Sequence, residues 1–162
     1  MAVKVKEIDR GWDRIKREMA LAQSAHVAVG ILGGSGKHQD GEADLVTVAA
    51  VNEFGSPKRH IPERSFIRST ADEQREHMFT MSAREFDKIK TGSSTVRQSL
   101  DTMGQKMQDK IVEKINTLRS PPNALSTQKQ KGAKVGKGVL IDNPLVDTGQ
   151  LKQSIRHKIE MT

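Results

Sequence analysis

The chain has 162 residues, with 27 Lys+Arg against 20 Asp+Glu for a formal charge of +7, 35% hydrophobic residues and only 3% aromatics. That length suits one domain able to bury a core without disulfide or metal staples. The absence of cysteine excludes disulfides, thiolate nucleophiles and Cys-based zinc sites, no apolar run approaches the about 20 residues of a membrane span, and Met1–Lys6 lacks the long apolar stretch of a secretory signal.

Val5, Ile8, Trp12, Ile15, Met19 and Ala22 recur every three or four residues, which predicts an amphipathic helix over 4–23. His26–Leu32 is short, β-branched and bounded by glycines, so it reads as a strand, and Gly33–Gly41 as a flexible connector. Asp44–Phe54 reads as a short helix with Leu45, Val48 and Ala49 turned inward and Gly55 as its stop. Ser56–Pro62 is an irregular link, because each proline disfavours helix in the residue before it.

A second long helix is expected over 63–90, with Phe79, Phe86 and Ile89 marking its inner face, and Thr91–Ser94 interrupts it. The clearest periodicity follows. Val96, Leu100, Met103, Met107, Ile111, Ile115 and Leu118 define one face of a helix over 95–119. Ser120–Asn123, with two prolines, stops it. The stretch 120–138 is polar and Lys/Gly/Gln-rich, and reads as a long loop that is mobile or ordered by a partner. Asp147-Thr148-Gly149 reads as a turn whose Asp or Thr oxygen caps the following helical turn. Residues 155–161 read as a closing strand beside the first. The expected fold is α+β: one domain over 1–162, with a small antiparallel sheet packed with several long amphipathic helices. The thin aromatic supply points to an extended helical shape or to a subunit that completes its core against neighbours, and Met78, Met81, Met103 and Met107 suit either core filling or an adaptable interface.

Most motifs that suggest chemistry fail on inspection. Gly33–Lys37 lacks both the upstream glycine and the Ser/Thr of a phosphate loop, since Ile31 and His38 stand there. Leu145–Gly149 matches the Asp-Thr-Gly core of aspartic proteases, but that chemistry needs two such aspartates and this chain has one copy, followed by Gln150. Asp40, Glu42 and Asp44 lack the spacing and closing glutamate of a calcium loop. His26, His38, His60, His77 and His157 show no metal-ligand spacing. No catalytic residue, metal or cofactor is assigned, and nothing in the sequence requires an enzyme.

The charge is concentrated. Residues 1–87 carry −1, residues 88–138 carry +8 and residues 139–162 are neutral. Arg119, Lys129, Lys131, Lys134 and Lys137 form a run with no intervening acid, a candidate surface for phosphate or an acidic protein. No aromatics are interleaved, which argues against a single-strand stacking platform.

Three segments in order carry a resemblance: Val27–Gly33; Val48–Gly55 followed by Ile61–Arg68; and Pro144–Ile155. Together they resemble the neck or tail-completion proteins of long-tailed bacteriophages, including the tail-component family of lambda-like phages and the virion morphogenesis proteins of Mu-like phages. The chain departs from that pattern at Ser65, where relatives commonly have Pro, and at Thr47–Val51, where a tyrosine often precedes the Asn-Glu-Phe-Gly stretch. The resemblance implies a small α+β virion subunit and no catalysis. It implies a homo-oligomeric ring that joins a portal-side adaptor to the tail tube or terminator, assembled in the host cytoplasm, with contact to packaged DNA and no membrane. In that frame Asn52, Glu53, Phe54, Gly55, Pro62 and Phe66 form a structural corner. Glu53 is expected to pair with Arg64 or Arg68, and Phe54 and Phe66 to anchor the corner in the core. Asp147, Thr148 and Gly149 would set the entry to the last helical turn and strand, and the basic loop would reach a neighbouring subunit, an acidic tube surface or DNA crossing the channel. The competing function is a basic double-stranded DNA-binding protein, resting on the +8 segment alone.

Overall fold

The computed structural model describes residues 11–32, 44–135 and 143–161, with the backbone alone at 134 and 135. The first part of the first predicted helix, the Gly33–Gly41 connector and the Asp40–Glu42 acids lie outside these residues. In chain order the elements are α1 (Trp12–Ser24), β1 (His26–Ile31), α2 (Leu45–Phe54), a single 3-10 turn (Pro57–Arg59), α3 (Arg68–Thr91), α4 (Val96–Thr117), α5 (Leu125–Val135), the one-turn α6 (Gln150–Gln153) and β2 (Ile155–Glu160). The fold is α+β with a small antiparallel sheet, as expected.

β1 and β2 pair antiparallel from His26 opposite Glu160 to Ile31 opposite Ile155. Side chains alternate along a strand, so Val27, Val29 and Ile31 share a face with Ile159, His157 and Ile155. That face lies on α4. The contact is close because α4 carries Gly104 there: a Cβ at this position would stand 2.8 Å from both Val27 Cγ2 and His157 Cδ2. The His157 ring sits across this gap, with Nε2 2.9 Å from Asp101 Oδ1 and Nδ1 2.9 Å from Gln108 Oε1. Asp101, Gly104 and Gln108 fall on one helix face by their spacing.

The core gathers at the C-terminal half of α4. Ala49, Phe66, Ile111, Ile115, Leu145, Leu151 and Ile155 form it, with Val29, Ile31, Ile67, Met107 and Val146 packed around them. The predicted α4 stripe is thus the spine of the molecule. Its start is fixed by a reciprocal cap: the Gln98 N–H donates to Thr95 Oγ1, and the Thr95 N–H donates to Gln98 Oε1.

α3 forms a hairpin with α4 but turns a different face inward from the one predicted. Thr70, Glu85 and Ile89 are buried and Gln74, Met78 and Met81 half-buried, whereas Phe79 is 76% and Phe86 44% exposed. The inward stripe 70–74–78–81–85–89 is already a full helical face. Phe79 stands one residue, about 100° of helix, away from it. α3 also starts at Arg68 instead of residue 63, because 63–67 wraps around the end of α2.

α1 buries no residue, and Trp12 is 64% exposed. It is held by charge instead. Arg14 donates to the carbonyls of Ile89 (3.0 Å) and Lys90 (3.3 Å) at the end of α3, and Glu18 accepts the N–H of Val96 (2.8 Å) at the start of α4. A cation at a helix C-terminus and a carboxylate at an N-terminus both match the helix dipoles and satisfy groups that lack intrahelical partners.

The predicted loop 120–138 contains a helix, α5. It has almost no apolar face, so periodicity did not reveal it. Polar bonds hold it. Lys131 is 7% exposed, and its Nζ donates to the carbonyls of Asn143 (3.2 Å) and Val146 (2.8 Å). Gln128 Nε2 donates to Asn123 O at 2.7 Å.

Candidate functional site

The corner between α2 and α3 is the most elaborately built local structure. Gly55 ends α2 with φ 72, a conformation that favours glycine, and a Cβ there would stand 2.8 Å from the Glu63 amide nitrogen. The chain then turns back on itself: Ser56 N–H donates to Ile61 O (2.8 Å) and Ile61 N–H to Ser56 O (3.0 Å). Pro62 follows, exposed, at the exit of the turn. Arg64 N–H donates to Asn52 O at 2.7 Å, while the Asn52 side chain donates to Val48 O one turn back.

Glu53 closes the corner, and not by the expected salt bridge. Its carboxylate accepts four hydrogen bonds: from Ser65 Oγ (2.7 Å), Phe66 N–H (2.8 Å), Ile67 N–H (2.9 Å) and Arg68 N–H (2.9 Å). Neither arginine's guanidinium is among them. The reason is geometric. The N–H groups at the start of α3 lack helical partners and converge on one point, and the residue at the cap position, Ile67, has no side-chain acceptor. A carboxylate from α2 takes that place. Burial alone pushes the Glu53 carboxyl up; the bonds from Ile67, Arg68, Ser65 and Phe66 together outweigh it and hold the group below its ordinary range.

The two arginines are used elsewhere. Arg64 is buried, with its guanidinium donating to the carbonyls of Pro121 (2.8 Å) and Pro122 (2.9 Å), and burial lowers its pKa from the ordinary value. Arg68 is exposed; it pairs with Glu63, and its guanidinium carbon lies 5.6 Å from the centre of the Phe54 ring. Phe66 is fully buried, as expected. Phe54 is not a core anchor: it is 65% exposed, because the helical turn that sends Glu53 inward sends its neighbour out.

The Asp147-Thr148-Gly149 segment makes the turn into α6, and the expected capping oxygen is that of Thr148, which accepts from the Gln150 N–H. Gly149, at φ 80, occupies the cap position without a side-chain cap bond. Thr148 Oγ1 is 3.4 Å from the Gln150 N–H, at the long end for a hydrogen bond. The register of this segment is set by Asn143. Its Oδ1 accepts from Leu145 and Val146 N–H, and its Nδ2 donates to the carbonyls of Ile115 and Asn116 at the end of α4.

The basic residues do not form one patch among the described residues. Arg119 folds back onto the carbonyls of Asn116 (2.7 Å) and Leu118 (3.1 Å). Lys129 is exposed on α5. Lys131 is an internal clamp, a correction to its assignment as an interaction residue, because three carbonyl oxygens converge where its ammonium lies. The side chain of Lys134 and all of Lys137 lie outside the described residues.

Among the described residues no cluster of three His, Cys, Asp or Glu is arranged to hold a metal ion, and no helix is long and apolar enough to cross a membrane. The exposed large apolar side chains among the described residues are Trp12 and Leu21 on α1, Val46 and Phe54 on α2, Phe79 and Phe86 on α3 and Leu125 on α5; of these, Trp12, Phe54, Phe79 and Phe86 were expected inside. The alternative stripe 70–74–78–81–85–89 was the signal that Phe79 and Phe86 face outward. Comparison of the chain with protein-family models, with curated proteins and with solved structures gives no match.

Proposed function

We propose that this chain is a structural virion protein of the phage neck or upper tail, a ring subunit that joins the head-side connector to the tail. The observation that carries the reading is the convergence of the three segments that bear the resemblance. Val29 and Ile31 from the first, Ala49 and Phe66 from the second, and Leu145, Leu151 and Ile155 from the third pack in one core on α4. Segments separated by up to about a hundred residues thus act as one structural unit, so their order along the chain is tied to the fold.

The physical character of the surface suits an assembly subunit. The buried apolar core is small, and four large apolar residues on α2 and α3 face solvent. A ring requires heterologous contacts, one face of a copy meeting a different face of the next. On this reading the partners are further copies, a portal-side adaptor and the tail tube or terminator, with packaged DNA passing nearby, and the protein acts by fit and burial.

The test is the mass of the purified protein across concentration, with negative-stain images of the same sample. Closed rings of fixed copy number are the expected result. A monomer that binds duplex DNA with an affinity falling steeply with salt would refute the reading in favour of a basic DNA-binding protein.

A further inference from the structure

The ring reading, on which this inference rests, leaves open which surfaces meet. Two exposed apolar stripes stand on different helices. On α2, Val46, Ala50 and Phe54 recur at four-residue steps, and all three are exposed. On α3, Phe79, Ala83 and Phe86 recur at steps of four and three, again all exposed. Single exposed apolar residues need no explanation; apolar residues aligned along one helix face make a contiguous patch, the kind of surface a partner covers.

Each stripe runs into a charged end, and the signs are opposite. Continuing the α3 face toward its N-terminus leads from Phe79 to Glu76 and Asp72, both exposed. The other end of the stripe is different: Asp87 pairs with Lys90, whose ammonium lies 5.3 Å from the centre of the Phe86 ring, so the acidic end is the N-terminal one. The α2 stripe is followed instead by Lys58 and Arg59 in the 3-10 turn, while Arg68, over Phe54, is neutralised by its pairing with Glu63. The one charged side chain of α2, Glu53, is turned inward. Pairing α2 with α3 matches apolar with apolar and basic with acidic. The stripes also match in length, about 12 Å from Val46 to Phe54 and about 10 Å from Phe79 to Phe86 at 1.5 Å per residue.

We propose that the α2 stripe of one copy docks antiparallel on the α3 stripe of the next. Phe54 lies toward Phe79 and Val46 toward Phe86, with Lys58 and Arg59 facing Asp72 and Glu76. Because the two stripes are different surfaces, a copy docked through one leaves the other open. The contact therefore propagates and closes into a ring when the rotation per copy allows.

The test uses Phe54→Glu and Phe79→Glu in the full-length chain, read by sedimentation. Both side chains are exposed, so far-UV circular dichroism and melting temperature should match the wild type. Each variant alone should lose the rings and sediment as a monomer. An equimolar mixture should form dimers and nothing larger, since one intact α2 stripe and one intact α3 stripe remain and the chain of contacts stops there. Reversing charges in Lys58→Glu/Arg59→Glu should weaken assembly at least tenfold, and adding Asp72→Lys/Glu76→Lys to the same chain should restore it. Rings that persist in either phenylalanine variant overturn this contact and leave the ring reading standing. A mixture that stays monomeric overturns the pairing of these two stripes. A wild-type chain that is monomeric at every concentration overturns both.

Discussion

Replacing Glu53 by Gln isolates the role of the α2–α3 corner with almost no change in shape. The carboxylate takes four donors, two at each oxygen: Ser65 Oγ and Arg68 N–H at Oε1, Phe66 and Ile67 N–H at Oε2. Glutamine keeps one acceptor oxygen. Its amide nitrogen then faces two donors that can no longer bond. A hydrogen bond to a charged group contributes about 1.5–3 kcal/mol and a buried unsatisfied N–H costs about 1–3 kcal/mol, so after local relaxation a loss of about 3 kcal/mol is expected. That is a large share of the about 5–15 kcal/mol that stabilises a domain, and it corresponds to about 6–12 °C in Tm for a chain of this size. The pH dependence is the sharper test. Glu53 is held below its ordinary value of 4.5 in the folded protein. Its stabilisation is therefore complete above the unfolded carboxyl's pKa and is lost as pH falls through that value toward the folded one. Urea unfolding at pH 7 and at steps down to pH 3 should show the gap between wild type and Glu53→Gln narrowing as the wild-type group protonates. A variant within about 0.5 kcal/mol of wild type at pH 7, or a gap independent of pH, would refute the trans-capping role.

Two further outcomes follow from packing and from the α5 clamp. Gly104→Ala should destabilise the protein despite a helix-propensity gain of about 1 kcal/mol, because the new methyl meets Val27 and His157 at 2.8 Å and overpacking of this kind costs about 1–3 kcal/mol; a net rise in Tm would show that the sheet yields freely at that point. Lys131→Met should leave β1, β2 and α4 protected from hydrogen exchange while amides of 125–135 exchange at least tenfold faster, since the Nζ bonds to the 143–146 carbonyls are lost. Unchanged protection across α5 would show that the helix is held by something other than this lysine.

What could be read from the sequence was what apolar periodicity controls. The α4 stripe and the Leu45/Ala49 face of α2 follow from it, the first strand shows instead as a short β-branched run bounded by glycines, and Gly55 marks the end of α2 through its backbone freedom. Periodicity failed where polar groups do the holding. α5 has too few apolar residues to signal a helix, and Lys131 secures it by bonding to carbonyls far along the chain. α1 is fastened by Arg14 and Glu18 to the termini of α3 and α4, so Trp12 is left exposed in a stripe that looked like core. Phe79 and Phe86 were expected inside because they are large and apolar, but a helix buries the face its neighbour needs. Glu53 was correctly singled out and given the wrong partner: nearby arginines suggest ion pairs, whereas the unbonded amides of a helix start are invisible in a sequence.

The capping of α3 by Glu53 has a consequence for how this corner tolerates change. Three of the four donors are backbone N–H groups, which every residue except proline supplies. Positions 66, 67 and 68 can therefore vary as far as this bond set is concerned, with burial restraining Phe66 separately, and only proline is barred from them. Position 53 has no such latitude: aspartate is a methylene short, and glutamine has half the acceptors. A deep mutational scan should show an asymmetric set of sites, one residue on α2 nearly immutable and positions 67 and 68 across the corner permissive, so that pairwise covariation with those two would miss the interaction.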